Sequence, residues 1–292
     1  MVSSSPTVRC GSGTLGVMSA VVRPDPSPAS APLRSRAAGG RLWEIDVART
    51  VGIVLMVIYH VAYDVHFLAP DVALDPFDGV WRALQVTCAS TFLAVVGISY
   101  WVADQRGRSR GLGGGALWRL HARRGREVLA AAVLVSVATL VALGTDDAVR
   151  FGILHLIAAA MLVVLPLTVR LGRLNVVLGL VAILVGQVVK ETDSTVPGLL
   201  ILGFDPGDPG RDWYPLLPWI GPALVGVAIG AVLYPGGERA PWLRRLAQAP
   251  RWAANAGAPG RHALPIYLVH QPVLIVLIAG VLALTGTQIE WG

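Results

Sequence analysis

The sequence predicts an all-α fold, a polytopic transmembrane helical bundle of about seven spans with its N-terminus in the cytoplasm. Three observations carry that reading. Hydrophobic residues make up 54% of the 292 and charged residues 14%, with mean hydropathy +0.62, too apolar a balance for a soluble domain of this length. Seven stretches approach the roughly 20 apolar residues that a membrane crossing needs. The arginines gather in alternate connections between those stretches, as the positive-inside rule requires.

The spans fall at about 48–68, 81–103, 126–144, 150–170, 174–190, 213–234 and 262–286. The fifth is short, and 196–204 (VPGLLILGF) is too short to cross, so it reads as a re-entrant or interfacial piece. Connections 104–125, 170–173 and 235–261 are basic, whereas 69–80, 145–149 and 191–212 are acidic or near neutral. This alternation puts the N-terminus inside and the C-terminus outside. The formal charge of +6 and pI near 9.9 are then a matter of topology, and nucleic acid is not an expected partner. The expected location is the cell membrane, multi-pass, with lipid as a partner; a homodimer stays open. Residues 1–40, rich in Ser, Pro, Ala and Gly, read as a disordered cytoplasmic tail, or as an overlong start-codon assignment, ahead of a membrane domain at 41–286. Cys10 and Cys88 lie in a polar tail and an apolar run, so neither a disulfide framework nor a metal site is indicated.

The first span runs on into MVIYHVAYDVH, which holds ionisable groups at membrane depth. Such groups are expensive there and usually face a bundle interior or a water-filled cavity. On one helix, Arg49 and His60 are eleven positions apart, hence about 20° from eclipsed and about 16 Å apart along the axis. Asp46, one turn before Arg49, and Asp64, one turn after His60, share that stripe within about 60°. His66 falls off it, near the outer interface. Asp46 and Arg49 also fit ordinary interfacial charges, and His60 fits a histidine that merely bonds between helices. The shared face argues against both, because unrelated residues would scatter around the helix.

The last span, RHALPIYLVHQPVLIVLI, puts Tyr267, His270 and Gln271 on one face between Pro265 and Pro272. His270 lies about 12 Å from the cytoplasmic end, a depth at which His60 can meet it. In the fourth span, FGILHLIAAAML places His155 near the outer face, where a structural role is the simpler reading. The stretch DWYPLLPWIG, 212–221, enters from outside. Its Asp212 and Trp219 belong either to an aromatic belt with helix-starting prolines or to an acceptor-binding rim.

Four motifs now carry a resemblance. RLWEIDVARTVGIVLMVIYH is similar to the first span of the heparan-α-glucosaminide N-acetyltransferase catalytic-domain family, with its R-x-x-x-ID-x-x-R opening. FGILHLI, DWYPLLPWIGPALVG and ALPIYLVHQPVLI resemble that family's later motifs, in the family's order. Arg49 with ten residues before His60 also resembles the Arg–His signature of the wider transmembrane acyltransferases, whose histidine is regarded as catalytic. The resemblance implies acetyl transfer from cytoplasmic acetyl-CoA to an amino-sugar or glycan-like acceptor beyond the membrane, with no metal. Thr50 stands where the family has glycine, and lysosomal members carry a histidine further along, so His60 and His66 both remain candidates.

That chemistry needs a base or nucleophile and donors for a tetrahedral oxyanion. His60 supplies the first, with Asp64 available to fix its tautomer; Tyr267, His270 or Gln271 could donate to the oxyanion. The polar stripe, with Asp46 and Arg49 at its mouth, would admit the pantetheine arm, and Arg119, Arg123, Arg124 and Arg126 would hold the CoA phosphates. Positive-inside topology explains those four equally well. A b-type haem carrier ligated by His60, His155 or His270 and a proton-coupled transporter are the alternatives.

Overall fold

The computed structural model describes residues 40–289, except 195, 197, 205–206 and 208–210. The expected tail and Cys10 lie outside the described residues. The fold among the described residues is helical: α1 (Trp43–Leu68), α2 (Gly79–Ser109), α3 (Gly114–Leu143), α4 (153–168), α5 (Asn175–Val189), α6 (Leu216–Leu233) and α7 (Ala263–Thr285). The end that holds Trp43 and Leu233 is called inner here, the other outer.

Among the described residues, six helical stretches are long and apolar enough to cross a membrane, against about seven expected. The difference lies in Ile153–Val189, a single stretch by that criterion. Its chain reverses at Gly172, whose φ of 53° and ψ of −117° suit a residue without a Cβ. The Ile153 N–H reaches Asp212 just before α6, Gly172 lies against Trp101 and Ala231 near the far end of α6, and Gly186 returns to Pro218. So α4 descends and α5 climbs back alongside α6. With only 15 residues, about 22 Å, α5 is the short span that the sequence announced.

The basic connection expected at 104–125 is mostly helix. Its charges find partners there, Arg108 on Asp104 one turn back and Arg106 on the Gly237 carbonyl, so α2 runs to Ser109; α3 starts at Gly114, leaving a turn at 110–113. At 30 residues, α3 is about 45 Å long, longer than a hydrocarbon core is thick, and its arginine-bearing turns form the inner end. The 196–204 piece holds one helical turn, Leu199–Leu202, which accepts the Trp213 Nε1–H at 3.2 Å.

Glycines set the helix spacing. A Cβ at Gly97 would run into the Ala223 carbonyl, one at Gly226 into that of Ala94, and one at Gly186 would lie 2.5 Å from the Pro218 nitrogen. Lipid offers no hydrophobic drive for helix association, so close backbone packing at small residues holds α2, α5 and α6 together. Leu93, Leu156, Leu165 and Val227 fill their core. The outside is apolar too, with Leu284 90% and Val141 81% exposed, as a lipid-facing surface must be. At the inner end Arg239 grips Glu44 with two bonds, at 2.7 and 2.8 Å, tying the start of α1 to the connection after α6.

Candidate active site

Near the outer third of the bundle, α1, α2, α4, α7 and the 212–214 segment enclose a cavity of about 30 Å³, lined by His60, Tyr59, Gln85, Asp212, Tyr214 and Tyr267 among others. That is room for about one or two waters. The His60 Nδ1 lies 2.8 Å from the Met56 carbonyl, one turn back, and must donate its proton there. Its Nε2 therefore carries the lone pair, the form a general base needs. The His270 ring meets His60 edge-on, with centroids 4.7 Å apart, and its own Nδ1 donates to the Tyr267 carbonyl at 2.5 Å. The expected meeting of His60 and His270 at one depth is thus what the structure contains.

Asp64 reaches the Gln271 side-chain amide instead of His60, so the Met56 carbonyl takes the tautomer-fixing role expected of Asp64. Gln271 donates through Nε2 in that bond, and its Oε1 has no partner among the described residues. Tyr267 donates to Asp212 Oδ2 at 3.5 Å, and the Ile153 N–H points at the same oxygen at 3.4 Å. Burial pushes the Asp212 carboxyl up to about 7. Its backbone sits at φ 54°, in the left-handed region that an aspartate tolerates better than most residues. Gly152 makes this possible, since a Cβ there would collide with the carboxylate.

Tyr59 was missed by the sequence reading. It lines the cavity, is buried, and its hydroxyl has no hydrogen-bond partner among the described residues, which leaves an O–H free for a ligand. Gln85 and Tyr214 were missed as well; they bond to each other at 3.2 Å across the outer side of the cavity. Trp219 packs on Tyr214 with ring centroids 4.8 Å apart.

Other expected site residues lie elsewhere. His66 Nδ1 is bonded to the Leu74 carbonyl at 2.7 Å, in the loop outside the bundle. His155 Nδ1 accepts the Gly152 N–H at 3.3 Å and caps its own helix. Asp46 holds Arg41 at 2.5 Å and Arg49 at 3.0 Å, and Arg49 also donates to Ser99 on α2 at 2.6 Å, so the inner end of the stripe is an ion-pair knot. Thr50, the departure from the family's glycine, accepts the Gly260 N–H at 2.9 Å and ties α1 to the turn before α7. Arg119, Arg123, Arg124 and Arg126 are exposed on α3, Arg123 reaching Glu127 at 3.3 Å, and Arg124 interacts electrostatically with Arg49.

The sequence profile described as "Heparan-alpha-glucosaminide N-acetyltransferase, catalytic" matches residues 41–272, which include α1, the cavity and the first half of α7. The chain belongs to this family. It is accordingly an acetyltransferase and a multi-pass membrane protein. No curated protein and no solved structure matches the chain. Within this family member, the cavity gathers His60, Asp212 and Tyr267 from three of the four motifs that carried the resemblance, and the fourth supplies Ile153.

Proposed function

We propose that the protein, in the cell membrane, moves an acetyl group from acetyl-CoA on the inner side to an amino or hydroxyl group of a glycan-like acceptor on the outer side, with His60 as general base. The observation that supports this reading best is the tautomer of His60, a residue of the cavity lining whose Nδ1 is committed to the Met56 carbonyl and whose Nε2 is left to accept a proton. The acceptor attacks the thioester carbonyl as Nε2 takes its proton; a C–N or C–O bond forms. The tetrahedral oxyanion is met by a hydroxyl donor, for which the unpartnered Tyr59 is best suited and Tyr267 second. Collapse breaks the C–S bond, and the protonated His60 returns its proton to the departing CoA thiolate.

The donor would approach along the inner half of the α1 stripe, where Gly52 packs on the Phe92 ring and Phe92 must swing aside. Arg49, oriented by Asp46, and the α3 arginines would hold its phosphates. The haem alternative sits poorly with His60 and His270, because rings in edge contact leave no room for a porphyrin between them.

Sealed proteoliposomes sorted by orientation test the reading. Labelled acetyl-CoA added on the α3-arginine side should acetylate an impermeant amino-sugar acceptor on the other side. Product only when both substrates share a compartment would end the transmembrane part of the proposal, and no product with any of a panel of amino sugars and lipid-linked glycans would end the donor assignment.

A further inference from the structure

A second cavity, of about 450 Å³, lies at the outer end between α2, α5 and the start of α6. It is of the size at which small-molecule sites are usually found. Trp213 and Trp219 supply aromatic faces, Val86, Ile183 and Pro222 apolar walls, and the charges among its lining residues are two cations, Arg82 and Lys190, with no carboxylate.

Those two cations are unexpected where they stand. Topology collects arginine at the inner end, and Lys190 is the only lysine in the chain. The Arg82 guanidinium bonds Gln85, at 2.5 Å, and neither cation forms an ion pair with a described residue. Gln85 lines both cavities, so this groove and the His60 cavity share a wall. Its flanks are lipid-facing: Leu184 and Val188 on α5 are 67% and 70% exposed.

We propose that the groove binds the acceptor, and that the acceptor is a membrane lipid whose head joins a sugar to a phosphate. The lipid chain lies along Val86 and Ile183, the phosphate pairs with Arg82 and Lys190, and the sugar ring rests on Trp213 and Trp219 with its nucleophile directed past Gln85 toward His60. The chemistry rests on the transferase reading; the binding does not. A chain, an anion and a ring are what the three kinds of lining recognise. A neutral lipid leaves both cations unmatched, and a water-soluble sugar phosphate leaves the apolar flank unused.

Binding to the purified full-length protein, followed by native mass spectrometry, tests this with three probes: farnesyl-phosphoryl glucosamine, glucosamine 1-phosphate and dodecyl glucosaminide. The first should bind at least about tenfold more tightly than either of the others. R82Q/K190Q should erase that advantage, and R82K/K190R should restore most of it. His60→Ala should bind as the unmodified protein does while losing transfer. Equal binding of glucosamine 1-phosphate would make the ligand an aqueous phosphate, and unchanged binding by R82Q/K190Q would remove the phosphate contact; either overturns the proposal. The expected binding pattern without acetylation of any probe would sustain the groove and sink the transferase mechanism.

Discussion

Asp212→Asn isolates one proton. Asparagine keeps the shape of the side chain, tolerates φ 54°, and retains an oxygen for the Ile153 N–H and the Tyr267 hydroxyl. Only the ionisation goes. The Asp212 carboxyl is raised from 3.8 to about 7 by burial, the bonds from Ile153 and Tyr267 pulling it back down. At about 1.36 kcal/mol per unit the full shift corresponds to about 4 kcal/mol, and partial solvent access brings this to roughly 2–4 kcal/mol. The folded state holds this proton more tightly than the unfolded chain, so the stability is fully present below pH 4. It drains away as pH rises from about 4 to about 7 and is then constant.

Thermal unfolding in detergent from pH 4 to 8.5 reads this directly. Relative to the unmodified protein, D212N should unfold at a similar temperature near pH 4 and roughly 5–15 °C higher above pH 7.5, at about 2–4 °C per kcal/mol. D212G, which is also at ease at positive φ, controls for backbone strain and should lose the pH dependence while forfeiting the bonds to Ile153 and Tyr267. Unfolding curves that stay parallel across the pH range for D212N and the unmodified protein would refute a buried, proton-holding Asp212.

His60→Ala should lower kcat by about 10²–10⁴ with normal expression, whereas His66→Ala should keep most activity; the reverse pattern in an acetyl-transfer assay would move the base to the outer end of α1. Neutralising Arg123, Arg124 and Arg126 together should raise KM for acetyl-CoA far more than KM for the acceptor, and equal effects on both would leave these arginines with topology alone. Gly260→Ala puts a methyl into the Asp46 carbonyl and breaks the link to Thr50, so it should lower the unfolding temperature in detergent, and an unchanged value would mean that the turn before α7 yields easily.

The bundle was legible because each crossing is local: twenty apolar residues and the placement of arginines need no knowledge of neighbours. The α1 stripe was legible for the same reason, since helical periodicity alone aligns Asp46, Arg49, His60 and Asp64. What such a stripe cannot say is which partner each member takes. His60 found a carbonyl on its own helix and Asp64 found Gln271 on α7, because bonding within a crossing depends on depth and rotation of the neighbouring helix. Tyr59 adjoins His60 in sequence yet was passed over, as an aromatic residue in an apolar run reads as core until its hydroxyl is seen to lack a partner.

Irregular backbone marks the site more sharply than residue type does. Bilayer hydrocarbon offers nothing to unpaired N–H and C=O groups, so a broken helix at membrane depth persists only where protein or a water-filled cavity surrounds it. In this bundle the inner reversals at Gly172 and Gly236 connect helices, whereas the left-handed Asp212 and the non-helical Leu217 stand where the two cavities are. Asp212 and Leu217 lie at the outer end, one on each cavity, and the Asp212 carboxylate oxygen that accepts from Tyr267 also accepts the first N–H of α4. A regular α6 beginning several residues earlier would carry Trp213 and Tyr214 around its axis and close the wall that Gln85 and Tyr214 share. The non-helical entry to α6 is therefore what keeps the wall between the two cavities as it is, and the proposed acceptor route past Gln85 depends on it.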